Sequence, residues 1–158
     1  MLRNKGKNMK DTILVTPVQV KRAATKAEAT EAMKVLRGFV CREQLAAITS
    51  AMRSEERQFF FDKAVEMANT IETMPVTYQT DGQGDEAIVH LHYFYGEFDW
   101  YITERDMLPE QFQAFGLAKM WEEELGYISI VELCANRAEL DLYWTPKHLK
   151  HIKQGGRE

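Results

Sequence analysis

The fold is decided by residues 88–105, which read IVHLHYFYGEFDWYITER. The side chains of residues 88–95 alternate between two faces, and a period of two is typical of a β-strand. One face holds Ile88, His90, His92 and Phe94, and the other holds Val89, Leu91, Tyr93 and Tyr95. A short Gly-Glu connection follows at residues 96–97, and residues 98–105 then form a returning strand. The stretch therefore predicts an antiparallel β-hairpin.

More sheet is predicted after the hairpin. Residues 112–118 and 125–128 each predict a strand, and residues 129–132 read SIVE, a capping box that opens a short helix. Residues 139–144 alternate apolar and polar side chains and predict a fifth strand with one solvated face. Thr-Pro at residues 145–146 predicts the start of a short last helix.

Three helices are predicted before the sheet. Residues 25–28 read TKAE, a capping box that opens the first helix, and Gly38 can supply the left-handed residue that ends it. Apolar residues at helical spacing predict a second helix over residues 42–53. Ser54 is a suitable N-cap for the third helix, which Pro75 stops.

This order of elements predicts an α+β fold, in which N-terminal helices pack on a mainly antiparallel sheet of about five strands with a late short helix. We expect a flexible basic arm over residues 1–22, a helical region over 23–74, a sheet domain over 75–152 and a flexible tail over 153–158. With 158 residues, 45% of them hydrophobic, the chain can bury one core.

The composition predicts a cytoplasmic protein that has no contact with a membrane. No apolar run approaches the roughly 20 residues that a membrane span needs, and the N-terminus lacks the pattern of a secretory signal. Cys41 and Cys134 both lie in apolar helical surroundings and outside any CxxC pattern, which predicts free thiols.

The net charge of −4 is distributed unevenly along the chain. Residues 1–26 carry seven Lys and Arg residues and a single acid, Asp11, and such an arm can contact nucleic acid or remain solvated. Half of this arm would be missing if Met9 were the initiator. Residues 86–141 are strongly acidic and include the run Glu122-Glu123-Glu124. Acids on a rigid sheet can imitate the phosphate spacing of nucleic acid and occupy a basic groove on another protein.

Four ordered motifs resemble the DUF2958 family, whose function is unassigned. They are HLHYF at 90–94, DWYITE at 99–104, LGYIS at 125–129 and ELDLY at 139–143. The residues that match the family pattern are Trp100, Thr103, Glu104, Asp106, Gly126, Tyr127, Asp141 and Tyr143. The resemblance covers residues 75–147. It implies an accessory protein of bacterial mobile elements such as plasmids and phages, whose members often accompany antirestriction genes.

His90 and His92 are the predicted metal ligands. Residues two apart on a strand project from the same face, so the two imidazoles could bind one ion. A third ligand would come from the hairpin, where Glu104 and Asp99 are the nearest acids in the sequence. Packed, hydrogen-bonded histidines explain the same pattern without a metal.

The acids of the returning strand are candidates for acid–base catalysis. Paired carboxylates such as Asp99, Glu104 and Asp106 can perform general acid–base chemistry when burial separates their pKa values. Solvated or salt-bridged acids explain the same residues. Ser129 is committed to its helix cap, and the sequence holds no GxSxG, P-loop or HExxH motif. We therefore predict no catalytic residue and no cofactor.

The sequence favours a non-enzymatic module that binds a host-encoded or element-encoded protein through an acidic sheet face and the adjoining helices. The predicted binding residues are Asp99, Trp100, Tyr101, Thr103, Glu104, Asp106, Tyr127, Glu139 and Asp141. The alternatives are a metal-dependent hydrolase or metal-stabilised module that uses His90 and His92, and a nucleic-acid-binding protein that uses the basic arm.

Overall fold

The computed structural model describes residues 22–155, without the side chains of residues 154 and 155. Most of the predicted arm and tail therefore lies outside the described residues. The described residues form five α-helices, α1 (Lys26–Leu36), α2 (Arg42–Ala51), α3 (Arg57–Thr73), α4 (Ile130–Ala135) and α5 (Leu149–Gly155). They also form seven strands, β1 (Ile88–Val89), β2 (Leu91–Tyr95), β3 (Phe98–Glu104), β4 (Ala114–Lys119), β5 (Glu123–Ile128), β6 (Glu139–Leu140) and β7 (Lys147–His148).

The main sheet has five strands in the order β5-β4-β3-β2-β6, and every neighbouring pair is antiparallel. β1 and β7 form a second, two-stranded sheet. The helices precede the sheet, except for the short α4 and the terminal α5. The predicted α+β fold with a mainly antiparallel five-stranded sheet and a late short helix is confirmed.

The main core lies between the N-terminal helices and one face of the sheet. Leu36 of α1, Met67 of α3 and Ile102 of β3 belong to one cluster of buried side chains. The largest side chain that is fully buried is Tyr93, whose hydroxyl donates a hydrogen bond to the carbonyl of Phe39. Full burial of each large apolar side chain contributes about 1.5–3 kcal/mol relative to exposure, so this cluster fixes the helices on the sheet.

A second apolar cluster covers part of the opposite sheet face. Val89, Tyr101 and Leu117 pack there against Leu149 and Ile152 of α5. The sheet is therefore buried on two sides where α5 crosses it.

The predicted helix starts are partly confirmed. Thr25 and Glu28 form both bonds of the capping box before α1. Gly38 does not have a positive φ, so the prediction that it ends the helix in the left-handed conformation is wrong. The third helix begins at Arg57, and Ser54 does not cap it, because the Ser54 hydroxyl donates to the carbonyl of Ala51 and accepts from the N–H of Glu56.

The second and last helices differ from their predicted bounds. α2 ends at Ala51, two residues before the predicted end at Arg53. Residues 147–148 form β7, so the last helix begins at Leu149 and not directly after the Thr-Pro pair.

The predicted strand over residues 139–144 is wrong beyond Leu140. The Asp141 carboxylate accepts a hydrogen bond from the N–H of Tyr143, 2.9 Å away, which closes a turn at this point. The indole N–H of Trp144 then donates to the carbonyl of Val89 at 3.0 Å. The alternating apolar residues after Leu140 therefore belong to a turn, which brings Trp144 back against the sheet.

The strand predicted over residues 88–95 is interrupted at His90. Val89 packs in the cluster under α5, whereas Leu91, two residues later, packs in the main core. Residues two apart on a regular strand share a face, so this change of side breaks the predicted alternation. β1 therefore joins the small sheet and β2 joins the large one.

Two further strand starts differ from the prediction. β4 begins at Ala114, because the N–H groups of Phe112 and Gln113 donate to the Asp106 carboxylate. β5 begins at Glu123, two residues before the predicted start at Leu125. Within residues 22–155, the helices are all too short or too polar to cross a bilayer.

Candidate functional site

The candidate site is a groove of about 570 Å³ between α4 and the outer part of the main sheet. Its floor is formed by residues on three neighbouring strands, Trp100 of β3, Ala118 of β4 and Gly126 of β5. Its volume lies within the range of about 300–1,000 Å³ that is typical of ligand sites. We call it the acidic groove. Its other lining residues are Tyr95, Phe98, Met120, Glu124, Tyr127, Ile128, Ser129, Glu132, Leu133, Asn136 and Ala138.

Small residues keep the floor of the acidic groove low. Trp100 pairs with Ala118 across β3 and β4, and Ala118 pairs with Glu124 across β4 and β5. A side chain added at Gly126 would meet no atom within 4 Å. The floor beside Trp100 is therefore made of small residues, with open space above Gly126.

The groove carries negative charge. Glu124 of β5 and Glu132 in the first turn of α4 are both exposed at its edge. Among its described lining residues, none is Lys, Arg or His. An apolar floor with two carboxylates fits a ligand that carries both apolar groups and positive charge.

Aromatic residues continue from the groove onto the end of the β4–β5 hairpin. Trp121 at this end is 85% exposed, and its ring lies 4.8 Å from that of Phe98, centroid to centroid. A second hollow of about 440 Å³ lies beside it and is lined by Glu97, Glu122 and Glu123 among others. Exposed Trp and Tyr side chains are enriched at the energetically dominant positions of protein interfaces.

A separate polar cluster surrounds His92. Its Nε2 lies 2.8 Å from Asp99 Oδ1, and its Nδ1 lies 3.0 Å from Asp141 Oδ2. Which of the two carboxylates accepts the N–H of a neutral imidazole depends on the tautomer of the ring. Tyr101 stacks on the imidazole at 4.8 Å between ring centroids, and Trp144 lies 5.0 Å away on the same measure.

The His92 cluster ties the chain after β6 to the hairpin. The N–H of Asp141 donates to the carbonyl of His92 at 2.8 Å, in addition to the contact between their side chains. The cavity beside the cluster is only about 260 Å³, and Lys147 Nζ lies 4.8 Å from the centroid of the Trp144 ring. These contacts indicate that His92 is a packed residue that holds the turn after β6 in place.

The predicted metal site lacks its third ligand. Within the part of the chain that the structure describes, no three His, Cys, Asp or Glu side chains are placed to hold a metal ion. Both ring nitrogens of His92 already contact carboxylates. His90 lies at the break between β1 and β2, where burial lowers the pKa of its imidazole below the ordinary value. The assignment of His90 and His92 as metal ligands therefore gains no support from the described residues and stays a prediction.

Glu104 is buried and stabilises the fold. It is 2% exposed and accepts hydrogen bonds from the backbone N–H groups of Tyr78 at 2.9 Å and Thr80 at 2.7 Å. The hydroxyl of Thr80 also donates to it. The carboxylate thereby holds Tyr78 at a φ of 79°, a conformation that non-glycine residues rarely adopt.

Asp106 has a similar role in the next loop. It is 3% exposed and accepts from the N–H groups of Leu108, Phe112 and Gln113 at 3.0, 3.0 and 3.1 Å. Burial alone would raise its pKa, but these N–H groups outweigh that effect and lower the pKa from its ordinary value. Glu104 and Asp106 therefore cannot contribute to an exposed acidic face.

The nine predicted binding residues lie in different places. Trp100 and Tyr127 line the acidic groove, whereas Glu139 is exposed beside β2 and lines another hollow. Thr103 is 2% exposed and donates to the carbonyl of Phe115. Three others contact the imidazole of His92, namely Asp99, Tyr101 and Asp141. The last two, Glu104 and Asp106, are buried. The structure does not bring the nine together as one surface.

The sequence prediction missed Ala118, Gly126 and Glu132 as site residues. Glu124 had a signal in the acidic run at residues 122–124 and Gly126 in the LGYIS motif, but nothing in the sequence placed Ala118 beside them. They become a site only because β3, β4 and β5 are neighbours in the sheet.

The cysteines are free thiols, as predicted. Cys41 is buried, and burial raises the pKa of the Cys134 thiol to about 12. A thiol with so high a pKa is a poor nucleophile near neutral pH.

Comparison with known proteins gives no relative. No protein-family model, no curated protein and no solved structure matches the chain. The resemblance to the DUF2958 family stays a prediction.

Proposed function

We propose that this protein is a non-enzymatic module that binds another protein through the acidic groove and the exposed aromatic residues beside it. The observation that carries the proposal is the composition of the groove, whose apolar floor is bordered by Glu124 and Glu132 with no cation among its described lining residues. Such a surface favours a partner segment that presents both basic and apolar side chains.

The groove is a narrower site than the acidic sheet face predicted from the sequence. That face depended on Glu104 and Asp106, which are buried. The exposed acids of the site instead belong to the β4–β5 hairpin and to α4. The partner therefore contacts the sheet and the adjoining short helix together.

The proposed partner is a basic protein encoded by the host or by a mobile element. The DUF2958 resemblance suggests a bacterial plasmid or phage as the setting, and binding there would counter a host defence such as restriction. A carboxylate surface can achieve this because it competes with nucleic acid for a basic site.

Affinity capture followed by reconstitution tests the proposal. The wild-type protein is immobilised, a partner is captured from bacterial lysate, and its affinity is then measured by calorimetry with both proteins purified. We expect Glu124→Lys to weaken binding about tenfold or more, which corresponds to about 1.4 kcal/mol. Ala118→Leu should weaken it as well, because the larger side chain fills the floor.

Glu72→Lys is the matched control, since Glu72 is an exposed glutamate on α3 that does not line the groove. It introduces the same charge change, so its effect on affinity should be less than about threefold. Equal losses for Glu124→Lys and Glu72→Lys would show that net charge, and not the groove, determines binding, and the proposal would be wrong.

A further inference from the structure

The outermost strand of the main sheet, β5, has a free edge within the described residues. β5 pairs with β4 on one side, and the strand order places it at the end of the sheet. Every second residue of such an edge strand directs its N–H and C=O away from the sheet. The edge can therefore accept another strand by main-chain hydrogen bonding.

The side chains of β5 differ between its two faces. Glu124, Gly126 and Ile128 line the acidic groove. Leu125 and Tyr127 alternate with them along the strand and are 43% and 57% exposed, and Tyr127 also borders the groove. An added strand would continue this alternation, with every second side chain beside Glu124 and the others beside Leu125 and Tyr127.

Tyr127 holds the edge in a fixed position. Its hydroxyl donates to the hydroxyl of Tyr78 at 3.0 Å, and its ring packs edge-on against Phe115 at 5.8 Å between centroids. A preformed edge costs less conformational entropy on binding than one that must first become ordered.

The charge of the edge selects its occupant. Glu124 lies on the strand and Glu132 lies across the groove, whereas the Glu123 carboxylate is paired with Lys119, whose Nζ lies 3.7 Å away. A second copy of this edge would add carboxylates to a surface that already carries several. A basic segment would instead place opposite charges on neighbouring strands.

We propose that β5 binds an extended basic segment of the partner as a sixth strand, with Lys or Arg facing Glu124 and apolar side chains facing Leu125 and Tyr127. This inference rests on the proposed protein-binding function. It adds the conformation of the bound segment and its alternating sequence pattern.

The test uses a fluorescein-labelled peptide of four Lys-Val repeats and the full-length chain, with binding followed by fluorescence anisotropy. A peptide with the same composition but paired order, Lys-Lys-Val-Val repeated twice, is the first control. We expect the alternating peptide to bind about tenfold more tightly than the control. In an extended strand, all Lys side chains of the alternating peptide lie on one face, whereas those of the control lie on both faces.

Backbone N-methylation gives the sharper comparison. Methylating every Lys nitrogen blocks one edge of the peptide strand, and methylating every Val nitrogen blocks the other edge. Since only one edge pairs with β5, one methylated peptide should lose binding by about tenfold or more while the other changes less than about threefold. Equal affinity of the two methylated peptides, or no binding of the alternating peptide, would overturn strand addition.

The Glu124→Lys variant separates this inference from the proposed function. If it weakens the peptide while N-methylation has no effect, the groove binds the peptide without strand addition, and only the further inference fails. If Glu124→Lys and Glu72→Lys are equal for both peptide and captured partner, the proposed function fails too. Sedimentation that shows a dimer which the peptide does not dissociate would overturn the inference in favour of self-pairing.

Discussion

Two glutamates of the sheet, Glu104 and Glu124, have different roles in this protein. Glu104 has three donors around it and is inaccessible, whereas Glu124 is exposed beside an apolar floor. Both acids lie in strands with similar alternation, so the sequence around them did not separate the two roles. The difference arises from the Tyr78–Thr80 loop, which folds over Glu104 through its backbone N–H groups.

Glu104→Gln should destabilise the fold. The glutamine amide would place a donor NH₂ against a backbone N–H, leaving buried donors unsatisfied, and we expect a loss of about 2–4 kcal/mol in the free energy of unfolding. Urea denaturation measures it. The exposed Glu55→Gln is the control and should change the free energy by less than about 0.5 kcal/mol. Equal stability of the two variants would contradict the structural role of Glu104.

His90 should make the stability of the protein depend on pH. Burial lowers its pKa in the folded state below the ordinary value of 6.5, so the unfolded state binds more protons as the pH falls through this range. The free energy of unfolding should therefore decrease from about pH 7 to pH 5. His90→Gln removes this contribution, and the difference between the two stability curves isolates it. Parallel curves for the wild type and the variant would show that burial does not perturb His90.

At the level of elements, local patterns that close within a few residues could be predicted. The capping box at residues 25–28 and the hairpin at residues 91–104 formed as expected, because both depend on short-range hydrogen bonds. The prediction failed where a distant contact decides the outcome. Trp144 belongs to an apolar alternation, yet it leaves the sheet because its indole binds the carbonyl of Val89.

The β4–β5 hairpin depends on two glycines that face each other. Gly116 pairs with Gly126 across the two strands. A side chain at Gly116 would meet the carbonyl oxygen of Tyr101 at 1.9 Å, whereas a side chain at Gly126 would meet nothing within 4 Å. The first glycine therefore permits close approach of β3 and β4, which are out of regular register near this point, and the second opens the floor of the groove.

Gly116→Ala should destabilise the protein by about 1–3 kcal/mol or more, because the methyl group forces the backbone of β3 away. Gly126→Ala is the matched control and should change the free energy of unfolding by less than about 1 kcal/mol. Thermal unfolding followed by circular dichroism compares the two variants. A larger loss for Gly126→Ala than for Gly116→Ala would contradict the arrangement of the strands described above.

For the molecule as a whole, the fold class was accessible from the sequence and the site was not. The acidic groove draws residues from β2, β3, β4, β5 and α4, and only the strand order and the position of α4 bring them together. The excess of acids in residues 86–141 was visible from the sequence, but burial removes Glu104 and Asp106 from the surface, and Asp99 and Asp141 contact His92. Of the acids that stay exposed, Glu124 and Glu132 line the groove, and Glu97, Glu122 and Glu123 line the hollow beside Trp121 together with Lys119.

In the proposed function, a partner protein covers the acidic groove and the end of the β4–β5 hairpin. Amide hydrogen–deuterium exchange, measured on the free protein and on the complex with the captured partner, locates the covered surface. We predict slower exchange in the complex over residues 95–100 and 118–136, and unchanged exchange over α1 and α3. Protection confined to the helices or to the turn near His92, with the hairpin exchanging as in the free protein, would contradict the proposed function.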